Sequence, residues 1–237
     1  MLRGVARTSR RWSSSLAQDT LHHRLRTLLR ESAQPVAIVT SYMPPTASKD
    51  STTRYHGATL SSFTSIAMDP YPLVAFSLRI PSRMATSLKA VHPKSPCHMV
   101  INVLSAAQAS TAVKFSRVDL YPKPFETVQY SLTREGFPVL DGCLGSLSCK
   151  MVTSWPLHDL GLFDRKAGSD VDEIGEWEGE GVASELFLAR VVRVESLAVD
   201  DDDRSLRRLP LLYHRRDYGT TSDILPLIST SGSKNGP

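Results

Sequence analysis

HGATLSSFTSIAMDPYPLVAFSLRIPSRMAT, residues 56–86, sets a loop of small residues between two strands and closes the second strand with a polar turn that opens a helix. Gly57, Ala58, Thr59, Ser61 and Ser62 leave backbone amides accessible to the edge of an aromatic ring, and their hydroxyls add adaptable donors and acceptors. From Pro72 to Arg79 the chain is almost wholly apolar, the pattern of a buried strand. Ser82 then stands at a helix N-cap position, with Arg79 and Arg83 on either side. A helix start presents unpaired N–H groups, and two guanidiniums beside it make a phosphate the natural guest. Ser82 and Thr86 are four residues apart and share one helix face. Arg79, Ser82, Arg83 and Thr86 are therefore candidate phosphate ligands, and the stretch predicts a site for a phosphorylated ring cofactor.

Outward from this stretch, Gln34–Ser41 reads as a strand and Tyr42–Arg54, rich in Pro, Ser and Thr, as a long hairpin connection. Asp19–Ser32 places Leu21, Leu25, Leu28 and Leu29 at helical spacing behind a capping residue, an amphipathic helix. Further helices are expected over Ser82–Val91 and Ala106–Ser116. Strands are expected over Met99–Leu104, Val128–Leu132, Leu144–Val152, Glu185–Ser196 and Leu211–Tyr213. A doubly wound parallel sheet needs a helix after nearly every strand, so this pattern reads as mainly β with peripheral helices, a closed or split barrel. Asp164–Gly181 carries seven acids against two bases and is expected to be a surface loop. The acidic run Asp200–Asp203 lacks the spacing and glycine of an EF-hand and reads as a solvated turn.

Six segments then occur in a recognisable order: Gly57 to Phe63, Asp69-Pro70, Leu73 to Leu78, Pro81 to Thr86, Ile101-Asn102-Val103-Leu104-Ser105 and Leu211-Leu212-Tyr213-His214-Arg215. Together they resemble the flavin reductase-like, FMN-binding split-barrel family over roughly Ser32 to Tyr218. The resemblance implies a split β-barrel, FMN as cofactor and NADH or NADPH as reductant. It implies that Thr59, Leu60, Ser61, Ser62 and Phe63 line the flavin, that His214 and Arg215, with Arg216 and Tyr218, lie near the flavin or its reductant, and that the protein is a homodimer. Asn102 is a lone amide in a strand of Val, Ile and Leu, where a buried polar group needs partners, and either structural bonding or flavin contact meets that need. One departure stands out. Reductases of this family usually carry Gly-Asp-His just before the strand that here begins at Glu185, and this chain has Ala183-Ser184-Glu185.

The chain has 28 basic and 24 acidic residues, a net charge of +4. Its first twelve residues, MLRGVARTSRRW, hold four arginines and no acid and run into three serines, resembling a mitochondrial presequence. Without Arg3, Arg7, Arg10 and Arg11 the bases and acids balance at 24 each, so the basic pI of about 9.0 is no argument for a nucleic-acid surface. Residues 1–18 are expected to be this presequence, 19–228 one domain and 229–237 a disordered tail, with the mature protein in the mitochondrial matrix. No run of apolar residues is long enough to span a membrane. Cys97, Cys143 and Cys149 are odd in number and form no C-x-x-C pair, so neither a disulfide framework nor a zinc site is indicated. No G-x-G-x-x-G, Walker loop or nucleophile elbow is present.

The expected function is an FMN-binding oxidoreductase that passes a hydride from NAD(P)H to the flavin. The absent family histidine leaves two alternatives: a flavoprotein that binds FMN without efficient reductase activity, and a split-barrel oxidase resembling the pyridoxamine-phosphate oxidases.

Overall fold

The computed structural model describes residues 9–43, 54–157, 183–197 and 205–221. The first residues of the expected presequence, most of the connection after Tyr42, the acidic loop 164–181, the acidic run 200–203 and the expected tail lie outside the described residues. The elements are, in order, α1 (Ser9–Arg30), β1 (Gln34–Pro35), β2 (Ala37–Tyr42), β3 (Tyr55–Leu60), β4 (Thr64–Ala67), β5 (Leu73–Ile80), α2 (Arg83–Ala90), β6 (Met99–Val103), α3 (Ala109–Ser116), β7 (Tyr130–Leu132), β8 (Pro138–Leu140), β9 (Gly145–Pro156), β10 (Ala183–Leu197), β11 (Leu212–His214) and β12 (Asp217–Gly219).

Seven strands form one antiparallel sheet in the order β3-β2-β6-β9-β10-β5-β4. The sheet curls until β3 and β5 approach each other, and α2 packs against β2, β3 and β5 across the gap. This is the split barrel that the sequence predicts. Its inner face is the main core: Ala37, Val39, Leu60, Val74, Phe76, Leu78, Met99, Ile101, Phe187 and Ala189, capped by Met84, Ala85 and Leu88 of α2. Phe76 and Phe187 stack with centroids 5.3 Å apart and planes within 7°. A second core, outside β2 and β3, packs Val36, Ile38, Leu104, Leu140 and Leu211 against Ala112 and Phe115 of α3. The alternation of residues along β2, Ala37 and Val39 inward and Ile38 outward, is what lets one strand serve both cores.

The expected strand Gln34–Ser41 divides at Val36, because the Val36 N–H bonds to Leu211 O while its carbonyl accepts from the Leu104 N–H. The chain there passes from the small sheet β1-β11-β12 into the barrel. The expected helix Ala106–Ser116 begins as a 3-10 turn over Ala106–Gln108 and only then becomes α3. Gln108 explains the division: its Oε1 accepts from the Ser105 N–H at 3.1 Å, and its Nε2 donates to Asp141 O at 2.9 Å. Short β4, β8 and β12 were not expected. β4 is exposed and lacks alternation, and β12 follows a two-residue turn built from Arg215 (φ 51°) and Arg216 (φ 71°), left-handed positions that glycine or asparagine would advertise and arginine hides.

All three cysteines are free and buried, and pack as small apolar side chains. Among the described residues no helix is long and apolar enough to cross a membrane.

Candidate functional site

On the outside of the split, β3, the start of α2, the end of β5, the end of α3 and the β11–β12 hairpin enclose an open cleft of about 850 Å³. Two close approaches set its shape. The backbone of Gly57 lies against the Phe115 ring so tightly that an added Cβ would stand 2.5 Å from ring carbons, which brings α3 down onto β3. The Thr59 hydroxyl donates to Ala112 O at 2.8 Å and fixes the same contact.

The floor is the segment Gly57 to Ser62, and of the five residues that the resemblance assigns to the flavin, Thr59, Leu60, Ser61 and Ser62 line the cleft. Their hydroxyls are less free than their positions suggest. Thr59 is spent on α3, and the Ser62 hydroxyl accepts from the Ser77 N–H at 2.9 Å, tying the β3–β4 connection to β5. What remains for a ligand is chiefly backbone and the exposed Ser61. Phe63 turns away and packs on the barrel core.

At one end of the cleft stand Arg79, Ser82 and Arg83. Ser82 caps α2, its Oγ accepting from the Ala85 N–H at 3.1 Å with an extended backbone (φ −145°, ψ 138°). The Arg83 and Met84 N–H groups ahead of it have no carbonyl to bond within the helix. No carboxylate among the described residues pairs with Arg79 or Arg83. Thr86 is four residues on but exposed, its hydroxyl donating to Ser82 O at 3.2 Å, and it does not line the cleft.

Tyr213, Tyr218 and Phe115 give the cleft an aromatic side. The two tyrosines face each other across the hairpin, centroids 5.5 Å apart and planes at 60°. Burial pushes the Tyr218 phenol up, with Ser116 hydrogen-bonding opposing it. His56 completes the floor and lies beside Arg83, and burial together with that guanidinium lowers its imidazole to about 4. His56, Phe115 and Tyr213 are among the cleft residues that sequence reasoning missed. His56 sits at the head of the quoted stretch, and Tyr213 lies in a segment whose interest went to its charged neighbours.

Three expectations are corrected by where the residues lie. Asn102 is fully buried between strands: it donates to Ile38 O (3.2 Å) and the Thr40 hydroxyl (3.3 Å) and accepts from the Leu140 N–H and the Ser146 hydroxyl (both 2.9 Å). Its amide is consumed by the sheet and does not reach the cleft. His214 and Arg215 also fall outside it, because residues of a strand alternate and the face that brings Tyr213 to the cleft turns His214 away. Arg215 instead holds α1, its N–H bonding to Arg30 O at 3.0 Å and its Nε donating to Glu31 at 2.8 Å. Glu185, the last of the three residues read against the family's Gly-Asp-His, points into the barrel and is 1% exposed. Its carboxylate accepts from Ser154 at 2.7 Å and from Lys89 of α2 at 3.0 Å. Of these three residues Ser184 is the one that lines the cleft.

The flavin reductase-like domain family matches residues 29–222. The chain belongs to this family. A NADH-dependent flavin reductase of Rhodococcus is 31% identical over 135 residues, 57% of this chain and 68% of that protein. The FMN reductase (NADH) SmoA of Agrobacterium fabrum is 32% identical over 107 residues, 44% of this chain and 53% of its own length. The crystal structure of nitrilotriacetate monooxygenase component B from Mycobacterium thermoresistibile superposes with a TM-score of 0.59 at 19% identity, covering 90% of this chain and 96% of the other, a likeness of fold.

The residues present fit a phosphorylated flavin: two guanidiniums with no carboxylate partner among the described residues, at a helix start, suit a phosphate, and a backbone floor in a cleft that tyrosines also line suits a flat ring. Among the described residues no group of acidic, Cys and His side chains is arranged to hold a metal ion.

Proposed function

We propose that the cleft binds FMN and that the chain is a flavin reductase using NADH, the reductant named for both curated relatives. The observation that carries this reading is the convergence on one cleft of Arg79, Arg83 and the first amides of α2, opposite the aromatic side. Bound FMN supplies the ring that accepts the hydride. Arg79 and Arg83 hold the phosphate, worth about 1.5 to 3 kcal/mol for each charge-assisted hydrogen bond. The amides of the Gly57–Ser62 floor orient the ring edge, and Phe115, Tyr213 and Tyr218 exclude water from one side. The described residues of the cleft form no proton-shuttling triad, and the protein contributes juxtaposition and electrostatics.

FMN is favoured over FAD by the single compact anion site. Purified full-length protein tests the reading: acid-released flavin identified as FMN, and bleaching of the bound flavin by anaerobic NADH, are expected. Recovery of FAD, or absence of bleaching by NADH, refutes it.

The partner reading is a homodimer. Its support is the exposed apolar side chains of β9 and β10, with Trp155, Val192 and Val194 at 44%, 39% and 51%, and the uncovered leucines of α1. A monomer by sedimentation at micromolar concentration refutes it. The Arg-rich, acid-free start supports a mitochondrial matrix location, which imaging of a full-length fusion tests.

A further inference from the structure

His56 is the second residue of β3, near the point where that strand meets the start of α2. Both His56 and Arg83 line the cleft and also a small cavity of about 20 Å³ behind it, so the imidazole and the guanidinium flank the same end of the site. Arg83 is the charged group that acts on the imidazole, and it does so from α2. From its own strand Tyr55 is a neutral phenol raised by burial. The segment after α3 turns only Val118, two prolines and Phe125 toward the cavity, and across the cleft the titratable groups are Arg79 and the phenols of Tyr213 and Tyr218. No carboxylate faces the imidazole among these residues.

A buried imidazole beside a cation and without an anion stays neutral, and here it is held at about 4. A phosphate monoester reverses that balance, because near neutral pH it carries most of a second negative charge. Resting on the FMN reading above, we propose that His56 is a proton-coupled third partner of the flavin phosphate. It takes a proton from solvent when the phosphate docks beside Arg83, and returns it when the flavin leaves. Two fixed cations then hold the site in the free protein, and a third is recruited only when its counter-charge has arrived. FMN binding carries a proton with it, and riboflavin binding, which lacks the phosphate, does not.

The test is the dissociation constant of FMN and of riboflavin for the full chain and for His56→Gln, measured by flavin fluorescence across pH. Between about pH 8 and pH 5.5 the ratio of wild-type to variant FMN Kd should fall by about tenfold per pH unit where one proton is fully coupled, since the slope of log Kd counts protons bound. The same ratio for riboflavin should be flat. Parallel FMN curves overturn the proposal, and so does an equal divergence with riboflavin, which would place the imidazole on the ring. Failure of wild-type protein to bind FMN at all defeats the FMN reading itself, whereas binding with parallel curves defeats only the proton step. Because His56→Gln alters a half-buried position, the wild-type imidazole is also followed directly by NMR of histidine-labelled protein near neutral pH. Its ring signals should move to the imidazolium position on adding FMN and stay put on adding riboflavin, and unmoved signals with FMN overturn the proposal.

Discussion

The inside of the barrel and the cleft outside it both contain polar and charged side chains, and they treat them in opposite ways. Within the barrel wall, Asn102 makes four hydrogen bonds and Glu185 is held by Ser154 and Lys89. In the cleft, Arg79 and Arg83 have no carboxylate partner among the described residues and His56 is left neutral beside a cation. A buried polar group that the fold satisfies is there for the fold. A cluster of cations that the fold leaves without counter-charge is there for something the fold does not contain.

The difference can be broken most severely at Asn102. Asn102→Leu leaves the Leu140 N–H, the Ser146 hydroxyl and the Ile38 carbonyl without their partner, and should cost about 3 to 5 kcal/mol of stability by chemical denaturation, with FMN affinity of the folded protein little changed. Loss of FMN affinity at unchanged stability would return Asn102 to the site. Arg83→Ala tests the cleft side. It should weaken FMN binding by about ten- to a hundredfold with the melting temperature nearly unmoved, since an exposed guanidinium without an ion pair contributes little to the fold. An unchanged FMN titration would remove it from the site.

Glu185→His sharpens the contrast within the segment that departs from the family's Gly-Asp-His. An imidazole placed there points into the barrel beside Lys89, so the substitution should cost about 1 to 3 kcal/mol of stability and should not accelerate reduction of bound flavin by NADH in stopped-flow measurements. Faster reduction would show that the position reaches the cleft after all. The smallest effect is expected at Arg215→Ala. Its ion pair with Glu31 is exposed on both sides, so stability should change by less than about 1 kcal/mol and FMN affinity by nothing measurable. A severalfold loss of FMN affinity would put the hairpin tip back into the site.

Much of this was legible along the chain. The apolar run of β5, the cap at Ser82 and the small-residue floor are local features, dictated by neighbours within a turn or a strand, and Thr59, Leu60, Ser61, Ser62, Arg79, Ser82 and Arg83 all come to the cleft. Phe63, Asn102 and His214 do not, because each has the right chemistry on the wrong face, while Thr86 stands one turn farther into α2 and Arg215, in the hairpin turn, is held by Arg30 and Glu31. In a strand a shift of one residue reverses direction, and which of Tyr213 or His214 meets the cleft depends on how the hairpin docks against α1 and α3.

The sequence by itself determined the class of fold, most strands of the barrel wall and the capped, arginine-flanked start of α2, because hydrophobic periodicity and capping act over a few residues. Only the tertiary structure decided that Glu185 belongs to the barrel interior, that Asn102 belongs to the sheet, and that His56 stands beside Arg83. Those three facts are contacts between segments far apart in the chain, such as Glu185 with Lys89 and Asn102 with Leu140. Whether a polar side chain is satisfied or left waiting is a property of its neighbours in space, and no spacing along the chain records it.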